Sequence, residues 1–264
     1  MKRVASYSLF WCGRDEHAKL YTNGLKAICR AHHVLFPGWT WRIHHDGSID
    51  NDPNSALLRR YESAGLVELV DFGPERQICR AMISRMMPVW DPSVEIVLCR
   101  DLDSLPTPRE AMAVQQFVEL GCAMHCLADH PQHGAVIMGG LCGFRSSALI
   151  KRTGIQTFAD LVAGEPLDRH GDDQLLLSRK VWPKLAGSLI EHRVGGHPKT
   201  PGATKSYNYI PNVSLPHVPE AVLRGGDALI PFLGAPGFAF ENVEAFYNEH
   251  GRADLIQTIM GCES

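Results

Sequence analysis

Apolar and amphipathic stretches alternate along the first half of the chain. Alternating or continuously apolar runs predict strands at 3–10, 39–46, 66–72, 94–99 and 122–127. Apolar residues at helical spacing predict helices between them at 16–32, 52–65, 74–87 and 107–120. This alternation predicts an α/β fold with a mostly parallel sheet covered by helices on both faces.

Two of these helices carry sequence signals for their ends. Pro88 is expected to end the helix at 74–87. Thr107 and Glu110 form a capping box with a proline between them, and Gly121 should end the helix that follows. The box therefore predicts a sharply defined helix start just after the strand at 94–99.

The second half is less regular. We predict a helix at 172–181, a strand at 188–194 and a closing helix at 242–260. The stretch 195–219 is rich in Gly, Pro, Asn and His, which indicates an active-site loop. No repeat or composition break marks a second domain, so we expect one domain over 1–264.

Composition excludes several classes of protein. With 45% hydrophobic residues, 21% charged residues and a net charge of -3, the chain has the profile of a soluble globular protein without a nucleic-acid partner. No apolar run approaches the ~20 residues of a transmembrane helix, and the polar Ser6 and Ser8 favour a first strand over a signal peptide. Eight scattered cysteines indicate reduced thiols in a cytoplasmic protein.

The strongest chemical signal follows the strand at 94–99. Asp101 and Asp103 are two residues apart, so an extended backbone directs both carboxylates to one side. A bound cation relieves the repulsion between them, and hard oxygen ligands suit Mg²⁺ or Mn²⁺, which often share their remaining positions with phosphate. The alternative is a pair of ordinary acids that cap the next helix or pair with Arg100.

These residues resemble the D-x-D motif of GT-A glycosyltransferases, which use nucleotide-sugar donors. Further segments, in the same order along the chain, resemble the same family. They are Ser84–Pro88, Asp129–His133, Gly139–Gly143, and Asp173–Leu176 with Trp182-Pro183 after it. As a set they are similar to bacterial enzymes of capsular and surface polysaccharide synthesis.

The resemblance implies a GT-A fold over 1–264, with a nucleotide-binding half at 1–121 and a donor-sugar and acceptor half at 122–264. It implies transfer of a sugar from a UDP- or GDP-sugar to the hydroxyl of a glycan or other acceptor. It implies Mn²⁺ or Mg²⁺ bound by Asp101 and Asp103, and a cytoplasmic protein, free or peripheral at the membrane. Family members often add a late histidine as metal ligand, for which the candidates are His192, His197 and His217.

Roles for individual residues follow from the same resemblance. Asp173 or Asp172 would bind donor hydroxyls or act as general base on the acceptor. The predicted nucleotide and donor site consists of Asp101, Asp103, Arg100, Arg85, Ser6, Gly139, Gly140, His130 and Gln174. Each also has a structural reading: surface ion pairs for the arginines, a simple turn for the glycines, and a helix-dipole interaction for the aspartates.

The sequence also allows two other functions and one other metal site. Asp101 and Asp103 could be nucleophile and acid of a haloacid-dehalogenase-like phosphatase, although Leu105 stands where that motif has Thr or Val. The chain could also be an inactive nucleotide-sugar or glycan-binding protein. A zinc site at Cys122, Cys126, His130 and His133 has unusual spacing and is disfavoured.

Overall fold

The computed structural model describes residues 1–10, 25–51, 55–102, 104, 106–128, 133, 135–193, 205–208 and 253–263. Two predicted site residues, Asp103 and His130, lie outside this part, as do His197 and His217.

Eight strands form a single sheet in the described part. They are β1 (Lys2–Leu9), β2 (Thr40–His45), β3 (Glu68–Asp71), β4 (Val94–Arg100), β5 (Met124–Ala128), β6 (Leu141–Arg145), β7 (Leu189–Arg193) and β8 (Lys205–Asn208). Their order is β3-β2-β1-β4-β6-β5-β7-β8. Neighbouring strands pair in parallel except at β6, which is antiparallel to both β4 and β5. The predicted mostly parallel sheet is confirmed.

Nine α-helices accompany these strands in the residues described. They are α1 (Leu25–Leu35), α2 (Ser55–Ser63), α3 (Ile78–Ile83), α4 (Pro108–Leu120), α5 (Ser146–Thr153), α6 (Phe158–Val162), α7 (Asp172–Leu176), α8 (Trp182–Leu185) and α9 (Ile256–Glu263). A π-helical turn, Leu177–Val181, joins α7 to α8. None of the helices in these ranges has the length and apolarity needed to cross a membrane.

The helices cover both faces of the sheet, as the alternation of side chains along β1 shows. Ala5, Tyr7 and Leu9 pack with residues of α1, α2, α4 and α9. Val4 points the other way and belongs to a second cluster built with α3 and α5 to α8. Successive residues of β1 thus face two separate cores, as expected for a sheet buried on both sides.

The region around Pro88 differs from the prediction. The α-helix is short, Ile78–Ile83, and continues as a 3-10 helix, Ser84–Trp90, that contains Pro88. A tighter helix accommodates the proline within its last turns instead of ending before it. The predicted loop at 195–219 also differs in part, because residues 205–208 form β8, which pairs in parallel with β7. The other residues of that stretch lie outside the described part.

Several histidines are buried and therefore electrically neutral. Burial lowers the pKa of His32 from 6.5 to about 3, although Nε2 lies 3.1 Å from the carbonyl oxygen of Trp39. Burial likewise lowers the pKa of His44 to about 3 and that of His192 to about 4. Above the unfolded pKa of 6.5 such a histidine is neutral in both the folded and the unfolded protein, and stability is at its full value. As the pH falls below 6.5, the unfolded chain takes up a proton that the folded protein does not bind, so stability is lost.

We predict that His32→Gln makes stability less sensitive to acid. Between pH 6 and pH 4.5 the free energy of unfolding of the unsubstituted protein should fall by about 1.4 kcal/mol per pH unit more than that of the variant, which lacks this one proton uptake. Urea unfolding at several pH values measures the slopes. The exposed His170 provides the control His170→Gln, and equal slopes for all three proteins would contradict the assignment.

Candidate functional site

The candidate site lies at the carboxyl end of β4. The chain runs from β1 outward through β2 and β3, then returns to place β4 on the other side of β1. In open α/β sheets such a switch in direction opens a crevice at the carboxyl ends of the strands, where ligands bind. Asp101 immediately follows Arg100, the last residue of β4, so its carboxylate lies at this end of the sheet.

A buried arginine joins Asp101 to a distant aspartate. Arg85 donates from Nη1 to Oδ1 of Asp101, and its Nη2 lies 2.9 Å from Oδ2 of Asp173. The side chains of Arg85 and Asp173 are 2% and 0% exposed, whereas that of Asp101 is 40% exposed. The Arg85 guanidinium therefore binds two carboxylates, the partly exposed one of Asp101 at the end of β4 and the fully buried one of Asp173.

The surrounding elements fix Arg85 in this position. It is the second residue of the 3-10 helix Ser84–Trp90, which packs on β4. There the Cys99 thiol lies 3.7 Å from the Arg85 carbonyl oxygen and 3.3 Å from the sulfur of Met86. Asp173 belongs to the first turn of α7, where an acidic side chain also interacts favourably with the helix dipole.

Gly139 and Gly140 allow their backbone to lie directly against this ion-pair cluster. A β-carbon on Gly139 would lie 2.5 Å from Oδ2 of Asp173 and 2.7 Å from Nη2 of Arg85. A β-carbon on Gly140 would overlap the carboxylate of Asp101. A side chain at either position would force these charged groups to move, so the turn before β6 is matched to the charged side chains beneath it.

The charges in the cluster support one another. Burial alone would lower the pKa of Arg85, but the carboxylates of Asp101 and Asp173 raise it above its usual value. Two buried polar atoms, Nε of Arg85 and Oδ1 of Asp173, have no hydrogen-bond partner among the described residues. Buried polar atoms are normally satisfied, so these two are exceptions within the described part of the cluster.

Other predicted site residues lie apart from this cluster. Arg100 points to the opposite face, where Nε donates to Glu110 and Nη1 donates to the carbonyl oxygens of Cys99 (2.7 Å) and Cys142 (2.9 Å). Ser6 is fully buried in β1, paired in register with Cys99, and its Oγ lacks a partner in the described part. The structure thus does not bring Arg100 to the carboxylates.

The first turn of α7 separates its two aspartates. Asp172 is half-buried, and its Oδ2 accepts a hydrogen bond of 2.8 Å from the backbone N–H of Arg169. Asp173 is closed off, as described above. Gln174 is half-buried beside them, and its carbonyl oxygen accepts from Oγ of Ser178 at 2.7 Å.

The contact between Arg100 and Glu110 was missed by the sequence reasoning. Thr107 Oγ1 does accept from the backbone N–H of Glu110 at 3.2 Å, as the capping box predicts. The Glu110 carboxylate, however, binds Arg100 across the core. The sequence did contain a signal for this contact. Arg100 is a charged residue that directly follows the apolar run 96–99, so its burial and its need for an acidic partner were to be expected.

Two further candidates, His192 and Gly143, have structural surroundings. His192 is buried, with its Nδ1 2.9 Å from Nε2 of His125 and its Nε2 2.9 Å from Oε1 of Gln116, so both ring nitrogens are engaged. Gly143 lies within β6, where a β-carbon would be 2.8 Å from the Leu98 side chain. It therefore serves sheet packing, unlike Gly139 and Gly140.

The cysteines of the disfavoured zinc set occupy different cores. Cys122 packs with Ile96, Phe117 and Ile190, whereas Cys126 belongs to the cluster on the other face of the sheet. Within the described ranges no group of three or more His, Cys, Asp or Glu side chains is arranged to hold a metal ion. Asp101 by itself fits one ligand position, because its carboxylate is held in place by Arg85 and remains partly exposed.

No protein-family model and no curated protein matches the chain. Among solved structures, the chain is similar to a mannosyltransferase from Pyrobaculum calidifontis in complex with GDP-Man and Mn²⁺, with 17% identity, a TM-score of 0.46, and coverage of 84% of this chain and 60% of that one. It is also similar to residues 1–349 of S. aureus TarS, with 14% identity, a TM-score of 0.45, and coverage of 67% and 54%.

The same TarS protein in complex with UDP-GlcNAc is 13% identical, with a TM-score of 0.47 and coverage of 84% and 70%. The chain thus spans 54% of the first TarS structure and 60% of the mannosyltransferase. Sequence identity and structural similarity at this level do not identify a substrate or a mechanism. For both, the relevant observations are the side chains of the site.

We predict that Gly140→Ala disturbs the site and the fold together. The added methyl group has to displace the Asp101 carboxylate and its ion pair with Arg85, so the free energy of unfolding should fall by about 1–3 kcal/mol. Gly187→Ala is a matched control, because a β-carbon there meets nothing within 4 Å, and its change should stay within about 0.5 kcal/mol. Urea unfolding compares the two, and equal stabilities would show that the close approach at Gly140 is unimportant.

Proposed function

We propose that this chain is a glycosyltransferase that moves a sugar from a nucleotide-diphosphate sugar to an acceptor hydroxyl. One observation carries the proposal: Arg85 binds both Asp101 and Asp173, and Gly139 and Gly140 lie directly against the three charged side chains. Four segments that resemble glycosyltransferase motifs thus meet at the carboxyl end of the central strand. Their distance along the chain makes such a meeting unexpected for unrelated turns and surface acids.

Asp101 and Asp103 are the residues we propose to hold a divalent cation. The Asp101 carboxylate is fixed on one side by Arg85 and is 40% exposed on the other, and oxygen ligands of this type suit Mn²⁺ or Mg²⁺. Such an ion, when bound, would neutralise the negative charge that develops on the departing diphosphate. Asp101 contributes a positioned carboxylate, and Gly140 keeps the space beside it clear of a side chain.

The geometry divides the roles of the two aspartates of α7. A general base has to reach the acceptor hydroxyl, and Asp173 is fully buried and bonded to Arg85. We therefore assign to Asp173 the role of holding Arg85, and through it Asp101, in place. Asp172 lies nearer the surface, so if transfer inverts the anomeric centre, Asp172 is the better base.

The proposal also covers the chemical class of the acceptor and the cellular compartment. We propose a glycan or other hydroxyl acceptor, in keeping with the resemblance to enzymes of surface polysaccharide synthesis. Seven cysteines in the described residues are buried thiols, which suits a reducing compartment such as the cytoplasm. Donor contacts from His130 and Gln174 remain part of the proposal.

We predict metal-dependent release of nucleotide from a donor, and its loss in Asp101→Asn. The assay incubates the protein with UDP-, GDP- and CDP-sugars, including GDP-mannose and UDP-N-acetylglucosamine, with and without Mn²⁺, and follows free nucleotide. Removing the carboxylate charge at Asp101 should lower the rate by about 100-fold or more, and Asp103→Ala should do the same. The control Asp160→Asn changes an exposed acid in α6 and should leave the rate unchanged.

Two other outcomes would contradict transfer. Release of phosphate from simple phosphomonoesters, with no activity on nucleotide sugars, would indicate the phosphatase with Asp101 as nucleophile. Binding of nucleotide sugars without turnover, even with acceptors supplied, would indicate a binding protein.

A further inference from the structure

We propose that the buried ion pair between Arg100 and Glu110 positions the Asp101–Asp103 segment and thereby sets the affinity of the site for a divalent cation. This inference rests on the proposed function, because it concerns the same carboxylates. It assigns to Arg100 a positioning role in place of direct contact with the donor.

The ion pair closes the connection between β4 and α4. Arg100 is the last residue of β4 and Glu110 lies in the first turn of α4, and the two side chains are 3% and 4% exposed. Nε of Arg100 donates to the Glu110 carboxylate. Both ends of the segment that carries Asp101 and Asp103 are therefore tied to one another inside the protein.

Arg100 also ties this connection to the sheet. Its Nη1 donates to the carbonyl oxygens of Cys99 in β4 and Cys142 in β6, at 2.7 and 2.9 Å. The start of α4 is consequently fixed relative to two strands. A carboxylate in the connection inherits that fixed position.

Consecutive side chains at the end of β4 face opposite sides of the sheet. Asp101 is bound on one side by Arg85, and Arg100 is bound on the other by Glu110. Between these anchors Leu102 is buried in the core, and Thr107 Oγ1 accepts from the backbone N–H of Glu110. Asp103 is the next residue after Leu102 in the sequence.

Direct ligand binding does not explain Arg100, since its guanidinium is 3% exposed and its Nε and Nη1 donate to protein atoms, while Nη2 is enclosed without a hydrogen-bond partner among the described residues. Stability alone is also a weak reason for the pair. Well-packed apolar residues of similar volume commonly replace a buried ion pair at little cost, whereas an ion pair demands one defined geometry. A precise position for the connection is what the charged pair adds.

The test compares variants that break the pair with one that breaks a different ion pair on the same strand. Glu110→Gln removes the charge, and the double variant Arg100→Met/Glu110→Met replaces the pair by apolar side chains. The control is Glu95→Gln. Glu95 pairs with Arg145 at 3.0 Å, and Arg145 also donates to the carbonyl oxygen of Val118 near the end of α4, far from the connection.

The direct readout is Mn²⁺ binding to the full chain in the presence of UDP or GDP, followed by the electron paramagnetic resonance signal of the free ion. Urea unfolding and the rate of nucleotide release at saturating Mn²⁺ are measured alongside. Mutations of groups that orient metal ligands typically weaken metal affinity about 10–100-fold. We expect that loss in both pair variants, a smaller change in rate at saturating Mn²⁺, and a change within about twofold in Glu95→Gln.

A double variant that is less resistant to urea than the unsubstituted protein, but has unchanged Mn²⁺ affinity, would show that the pair only stabilises the fold. If the double variant does not fold, Glu110→Asp, which keeps the charge and shortens its reach, decides by the same comparison. Failure of the unsubstituted protein to bind Mn²⁺ with either nucleotide would overturn the proposed function itself. Normal binding there, with no effect in the variants, would overturn the positioning role alone.

Discussion

A guanidinium with almost no access to solvent has to be paired, and at the end of β4 this requirement brings distant segments together. Arg85 can be buried only because Asp101 and Asp173 both bind it. Asp173 in turn can be fully buried only because Arg85 neutralises it. The turn at Gly139 and Gly140 follows from the same constraint, since any side chain there would strike the paired groups. The candidate site is therefore one electrostatic unit, and removing Arg85 would leave the Asp173 carboxylate buried without its partner.

The sheet supplies the frame in which this unit can form. Because β4 returns to the centre beside β1, it lies between helices on both faces, and its carboxyl end is where ligands bind in sheets of this topology. The alternation of side chains then sends Asp101 to the Arg85 side and Arg100 to the Glu110 side. Each arginine comes with its own acidic partner, so neither competes for the other's carboxylate. A strand end held from two faces has little freedom to move, which suits a residue that must present a carboxylate to a ligand.

The periodic elements could be predicted from the sequence because local pattern decides them: the strands of the first half and the start of α4 at Thr107 are observed close to their predicted positions. Tertiary contacts decided the rest. The antiparallel course of β6 and the 3-10 helix through Pro88 have no local signature. Glu110 satisfied a capping rule in the sequence, yet its carboxylate binds Arg100, because a buried arginine outweighs a helix cap. Motif resemblance named Arg85, Asp101, Asp173 and the two glycines, but not that one guanidinium joins the two acids.

Charge counting links this geometry to a divalent cation. Within the described cluster two carboxylates face one guanidinium, which leaves one negative charge. Asp103, two residues after Asp101 in the chain, adds a second. A single divalent cation would balance the whole set, whereas Arg85 alone cannot. Arg85 thus acts as an internal counterion that makes the carboxylates tolerable in a partly buried place, while the negative charge that it leaves uncompensated is the charge that the proposed cation would neutralise.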